Sequence, residues 1–318
     1  MKYLLIFCMV FLASIASAYA NDSAVESAAG GLKLRKEHSV LMKSERLFIS
    51  KDLVRVEYEF INTTDKPVTS EVAFPIAPYV CQFDDLGAPR NFRDFKAWSD
   101  GVPLKVDKEV RAFAKGREVT DQLRKLGINI ENFGDFDPEK GGDEFVKLSA
   151  TNMKALYKSG ALKSPGKNDK PNWYWPDWDA RINYHWSQTF LPGKVVHITH
   201  EYKPVYGFSP VTTSELKDAC MGNSTLNEIK KRVAKRQHKD PYSGGYFSAT
   251  WVSYILTTAN TWQTPIKDFE LIVQTDKGEI VSFCWDGKVE KTSNGTYKAR
   301  LKDFVPKKEL KVFFLSNF

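Results

Sequence analysis

Trp173-Tyr174-Trp175-Pro176-Asp177-Trp178-Asp179 places four large aromatic residues and two carboxylates in seven positions, directly after the Lys-rich loop of residues 164–171. Rings at that density can stack on sugar rings, cations or flat ligands, while carboxylates accept hydrogen bonds from hydroxyls. In an extended segment Trp173 and Trp175 share the face opposite Tyr174, so one set points away from the core unless a further layer covers it. Tyr174, Asp177, Trp178 and Asp179 are therefore the candidate ligand-binding residues, and a glycan-like ligand suits their chemistry. The competing reading is that the rings close an open end of the core, each burying about 150–250 Å².

His185, His197, His200 and Glu201 raise the question of a metal site. The apolar sets Ile182, Tyr184, Trp186, Phe190 and Val196, Ile198, His200, Tyr202 each occupy one strand face. Joined as a hairpin through Pro192-Gly193-Lys194, they put His185 opposite Glu201 and Thr189 opposite His197, with His200 facing the core beside Trp186. The three histidines then do not converge, and no metal is expected. Asp135, Asp137, Glu139 and Gly141 resemble the start of a calcium loop. The match fails at the sixth position, Lys140, and at the twelfth, Val146, where Gly and a bidentate Glu are required.

The chain has no Ser nucleophile elbow, no zinc-protease His-Glu-x-x-His, no phosphate-binding Gly loop and no paired-cysteine metal motif. No cofactor is expected. A dense basic run, Lys230, Lys231, Arg232, Lys235, Arg236, His238 and Lys239, reads either as a solvated helix face or as a dock for anionic lipid headgroups, acidic polysaccharide or a partner.

The elements that must position these groups follow from periodicity. In Leu53–Ile61, Val54, Val56, Tyr58 and Phe60 alternate with Arg55, Glu57 and Glu59, giving a half-buried strand. Asn62 to Pro67 supplies turn formers, and Val68, Ser70, Val72 and Phe74 continue as a second strand, predicting a hairpin. Three helices interrupt the strands. Val119, Leu123 and Leu126 with Gly127 mark the first, residues 151–158 the second, and a Thr225/Glu228 capping box with Leu226, Ile229 and Val233 the third. The predicted fold is mainly β, a sandwich-like single domain over residues 21–318 with about three flanking helices and a helical and loop insertion at about 117–180.

Composition narrows the setting. The 318 residues carry 46 Lys+Arg against 39 Asp+Glu, interspersed rather than blocked, so nucleic acid is not the expected partner. Lys2, the apolar run Leu4–Leu12 and Ala18-Tyr19-Ala20 read as a signal peptide over residues 1–20. That apolar run falls well short of the roughly 20 residues of a membrane span, and no transmembrane segment is expected in the mature chain. Removing the signal leaves Cys81, Cys220 and Cys284, an odd count that allows one bridge among three pairings in an oxidising compartment.

Several motifs together resemble a known family. They are Glu45-Arg46-Leu47-Phe48-Ile49-Ser50, Ala73-Phe74-Pro75, Gly116-Arg117-Glu118-Val119-Thr120, His200-x-Tyr202-Lys203-Pro204 and Val281-Ser282-Phe283-Cys284. With Asn21-Asp22-Ser23 and Tyr254-Ile255-Leu256-Thr257-Thr258 they are similar to exported bacterial proteins of the domain of unknown function 4424 family. The resemblance spans essentially the whole mature chain. It implies export, one continuous domain and a disulfide matching Cys220 and Cys284; it brings no catalytic residue or cofactor. The departures are Cys81 and the Lys/Trp-rich stretch of about residues 158–179. The resulting expectation is a non-catalytic periplasmic or secreted protein that binds a glycan-like ligand or an envelope or extracellular partner. The alternative is a hydrolase acting on an extracellular or cell-wall substrate.

Overall fold

The computed structural model describes residues 23–28, 31–80, 93–131, 148–163, 175–212, 216, 219–242 and 244–317. An eight-stranded sheet runs Glu290–Lys291, Thr296–Phe304, Ile266–Gln274, Val40–Ile49, Val54–Asn62, Val195–Lys203, Arg93–Ser99, Val102–Pro103. A seven-stranded sheet contains Arg117–Glu118, Asp107–Ala114, Asp179–Phe190, Val68–Pro75, Ser23–Ala28 and Gly31–Leu34 in that order, with Tyr79–Val80 also on Asp179–Phe190. A four-stranded sheet has the order Tyr206–Val211, Phe247–Tyr254, Leu310–Ser316, Ile280–Phe283. Three helices flank them: α1 Thr120–Lys125, α2 Ala150–Ser159 and α3 Asn223–Lys239. The mainly β architecture is thus the one the alternation predicts.

Both expected hairpins are instead crossings between sheets. Val54–Asn62 lies in the eight-stranded sheet and Val68–Pro75 in the seven-stranded one; Asp179–Phe190 and Val195–Lys203 are divided the same way. Apolar faces that meet across a sandwich have the same parity as faces that sit side by side in a hairpin, so alternation alone does not separate the two. Asn62 ties the two crossings together. Its Nδ2 donates to the carbonyls of Lys66 (2.7 Å) and Phe190 (2.9 Å), and its Oδ1 accepts from the N–H (2.9 Å) and hydroxyl (2.8 Å) of Thr64. The Gly193 N–H donates to the Asn62 carbonyl at 3.0 Å. The polar pairing changes accordingly: His185 meets Glu71 at 2.7 Å, Thr189 meets Thr69 at 2.9 Å, and Glu201 pairs with Arg55.

The inward faces of all three sheets meet at an aromatic junction. Phe74, from the seven-stranded sheet, lies 4.8 Å from the His200 ring, 5.6 Å from Tyr202 and 6.3 Å from Tyr254. Tyr58 and Tyr254 share a hydroxyl hydrogen bond of 3.1 Å between the eight- and four-stranded sheets. His200 is fully buried among Tyr58, Phe74, Phe95 and Trp186, as the alternation predicts, and burial pushes its pKa from 6.5 down to about 3. Glu45 also lies inside, at 1% exposure and 3.5 Å from the Tyr254 hydroxyl. A bulge between Met42 and Ser44 shifts the strand's parity and turns Glu45 inward.

The four-stranded sheet is buried on both faces. Val312, Phe314, Val252 and Tyr254 face the main core, while Phe313, Leu315, Phe247 and Ala249 face α3 through Ile229 and Val233. α3 starts at Asn223 with Gly222 as N-cap and no side-chain cap, so the Thr225 capping box does not form; Glu228 pairs with Arg232 instead. The Cys220–Cys284 disulfide joins the segment before α3 to the sheet, with a Cα separation of 5.0 Å and a sequence separation of 64. Closing that loop stabilises by about 4 kcal/mol in the chain-entropy account. Cys81 and the Asp135–Gly141 segment lie outside the described residues.

Two measurements test this packing. Asn62→Ala leaves two carbonyls without their donor in a buried crossing, and is expected to cost about 3 kcal/mol, read as a lower urea midpoint at unchanged slope. A loss below about 0.5 kcal/mol, the scale of ordinary surface substitutions, would contradict the role given to Asn62. Because His200 is held neutral, the unfolded chain binds one more proton than the folded chain between pH 6.5 and about 3. Stability from this group is full above pH 6.5 and falls towards pH 3, about tenfold in the folding equilibrium per pH unit. His200→Phe should flatten the acid limb by one proton; parallel profiles for the two proteins would refute the buried neutral imidazole.

Candidate functional site

Of the residues singled out by the sequence, Asp177, Trp178 and Asp179 lie at one end of the seven-stranded sheet, where α1 and α2 close the core. Past the Leu126 cap of α1 comes Gly127, whose positive φ of 70° suits glycine, and its N–H donates to the Arg124 carbonyl. α2 begins at the Ser149 cap and ends at Gly160 with φ 83°. The chain then forms Leu162–Lys163, which pairs with Trp175–Pro176, and the Asp177 N–H donates to the Ala161 carbonyl at 2.8 Å. Asp177 is thus fixed by backbone pairing on both sides of α2's exit, and its carboxylate holds Lys163 at 2.9 Å.

Trp178 corrects the expectation for that ring. It is 0% exposed, and its indole N–H donates to the Ile130 carbonyl at 3.3 Å. Tyr79 donates to the next carbonyl, Glu131, at 3.1 Å. Together they pin the segment after α1 over the core end, so Trp178 is a structural ring and not a contact surface. The alternation that buries Trp178 and Ala180 leaves Asp177, Asp179 and Arg181 on the opposite, partly exposed side. Tyr174 and Trp173 lie outside the described residues.

Around Asp179 the structure adds residues that the sequence reading missed. Asp179 is the register partner of Phe113, and Arg181 of Arg111. The Arg181 guanidinium sits 3.9 Å from the Phe113 ring centroid and that of Arg111 5.2 Å from it, so one ring is flanked by two cations. Arg111 is engaged by Glu118, which also accepts from the Thr120 hydroxyl at 2.8 Å. Arg181 differs. Its Nε is buried and has no hydrogen-bond partner among the described residues. Burial raises the Asp179 carboxyl above its usual pKa, Arg181 opposes that rise, and Asp177 adds to it. Arg181 was detectable in principle, because strict alternation from Asp179 places it on the same face; Phe113, which meets Asp179 only through pairing with Asp107–Ala114, was not.

The arrangement presents two fixed carboxylates that accept hydrogen bonds, a guanidinium with an unused donor and a clamped aromatic ring. It suits a polar ligand with hydroxyl groups. Among the described residues no group of three or more His, Cys, Asp or Glu could hold a metal ion, and no helix is long and apolar enough to cross a membrane.

No curated protein matches the chain. Among solved structures, a Legionella pneumophila protein named for nutrient binding is 16% identical, covering 93% of this chain and 70% of that one at a TM-score of 0.44. Native yeast LTA4 hydrolase is 9% identical, covering 87% of this chain and 29% of that one at a TM-score of 0.27. Neither likeness carries weight for function at those scores. The family comparison covers nearly the whole chain: residues 20–313 match the domain of unknown function DUF4424. The Cys220–Cys284 bridge that the motif resemblance implied is present, and the chain belongs to the DUF4424 family.

Proposed function

We propose that this chain is a non-catalytic exported binding protein that takes a glycan-like ligand at the Asp177–Asp179–Arg181 end of the seven-stranded sheet. The observation that carries the reading is Arg181: a guanidinium clamped on Phe113, beside a half-buried Asp179, with a buried Nε donor that no described residue uses. A buried donor without a partner costs about 1–3 kcal/mol, and a ligand oxygen would recover it where the guanidinium shifts to meet the ligand. Asp177 and Asp179 supply acceptors for hydroxyls, and Tyr174, immediately before the described Trp175–Pro176 strand, would add a stacking ring. Residues 1–20 act as the export signal in this reading, the insertion at about 117–180 supplies Asp177 and Asp179, and the disulfide supports an oxidising compartment.

The test is calorimetric titration of the purified protein with soluble cell-wall fragments and neutral and acidic oligosaccharides. Arg181→Gln and Asp179→Asn are each expected to weaken binding by more than about tenfold, the scale of a charged hydrogen bond, while the melting temperature stays within about 2 °C. Undiminished binding by both variants would remove the site from this end of the sheet. Cleavage of an oligosaccharide by the parent protein, lost in Asp179→Asn, would replace the reading with the hydrolase.

A further inference from the structure

We infer that the outer face of α3 is an electrostatic docking surface for an anionic phospholipid bilayer. The helix carries Lys230, Lys231, Arg232, Lys235, Arg236 and Lys239 against one acid, Glu228. Its apolar side, Ile229 and Val233, is spent on the four-stranded sheet. At 100° per residue, Lys231, Lys235 and His238 point directly away from that sheet, with Lys230 and Lys239 at the flanks, and all five are exposed.

The cations divide into two groups. Arg232 is bound to Glu228 and donates to the Gly278 carbonyl, and Arg236 donates to the carbonyls of Gly244, Tyr246 and Asn317. These arginines fasten the helix to its neighbours. Lys230, Lys231, Lys235 and Lys239 have no ion pair among the described residues. The outer face of the eight-stranded sheet shows the contrast: Lys43, Arg46, Arg55, Arg300 and Lys302 are each matched to Glu59, Glu57, Glu201, Glu270 or Asp268. Those five cations are paired across that sheet, whereas the four α3 lysines have no ion pair among the described residues.

Shape selects the partner. A helix ridge is convex, so its lysines diverge and cannot enclose a single small anion, whereas a flat, multiply charged surface meets all of them together. The lysine run spans about 14 Å along the axis. Just past its end, Tyr242 is 98% exposed and Tyr246 56% exposed, residues of the kind that settle at the headgroup level. The disulfide before α3 and the Arg236 bonds near its end hold this face rigid. With its apolar side already buried, α3 would adsorb through charge and not insert. This surface is independent of the Arg181 site.

The experiment is cosedimentation of the purified protein with vesicles of phosphatidylglycerol and phosphatidylcholine at 30:70, and of phosphatidylcholine alone, in about 50 mM and about 500 mM salt, the higher value reducing the screening length to a few ångströms. Binding is expected only to the anionic vesicles at low salt. Replacing Lys230, Lys231, Lys235 and Lys239 together with Gln should weaken it by at least about a hundredfold, given about fivefold per lysine. The same change at exposed Lys33, Lys105, Lys307 and Lys308 leaves net charge equal and should cost far less. Circular dichroism and the melting temperature check that both variants fold. Equal losses in the two variants would reduce the effect to net charge and overturn the proposal. So would absence of vesicle binding by the parent protein, including the case in which it binds heparin instead.

Discussion

The eight-stranded sheet has a single apolar face, and two other sheets share the work of covering it. That constraint organises the molecule. Phe74 reaches His200 and Tyr202 from one covering sheet, and Tyr254 reaches Tyr58 from the other, so the three sheets meet at one set of rings. The polar groups inside the junction are either neutral or hydrogen-bonded, as burial demands: His200 is held uncharged, and the Tyr254 hydroxyl meets both Tyr58 and Glu45. The many ion pairs on the outer sheet face contribute little by comparison, since exposed pairs are worth about 0–1 kcal/mol each.

The candidate site depends on this junction through one strand. Asp179–Phe190 carries Trp186 and Phe190 in the aromatic core, and its first residues present Asp179 and Arg181 at the other end. Side chains on a strand fixed along its length are better positioned than side chains on a free loop. Trp178 contributes from beneath by holding the segment after α1 in place, which is why the aromatic density of residues 173–178 was misleading for that ring. A tryptophan with its N–H on a buried carbonyl serves packing first.

Face and element type were legible in the sequence, but strand partners were not. Alternation in Val54–Phe60 and Ile182–Phe190 correctly sorted inside from outside, and placed His200 next to Trp186. It could not tell a hairpin from a crossing, so His185 was matched with Glu201 when its neighbour is Glu71. Glu45 escaped notice because an unbroken alternation from Val40 puts Ser44 and Arg46 inward; the bulge at Lys43 reverses that, and nothing in the local residue types announces it. Phe113 and Arg111 escaped for the same reason as the hairpins. Their relation to Asp179 and Arg181 exists only through strand pairing between segments about 70 residues apart.

If one junction holds all three sheets, the chain must unfold as one cooperative unit. Differential scanning calorimetry with the disulfide intact measures this directly. The account predicts a single transition in which the calorimetric and van't Hoff enthalpies agree. Two resolved transitions, with the four-stranded sheet and α3 melting apart from the other two sheets, would contradict it.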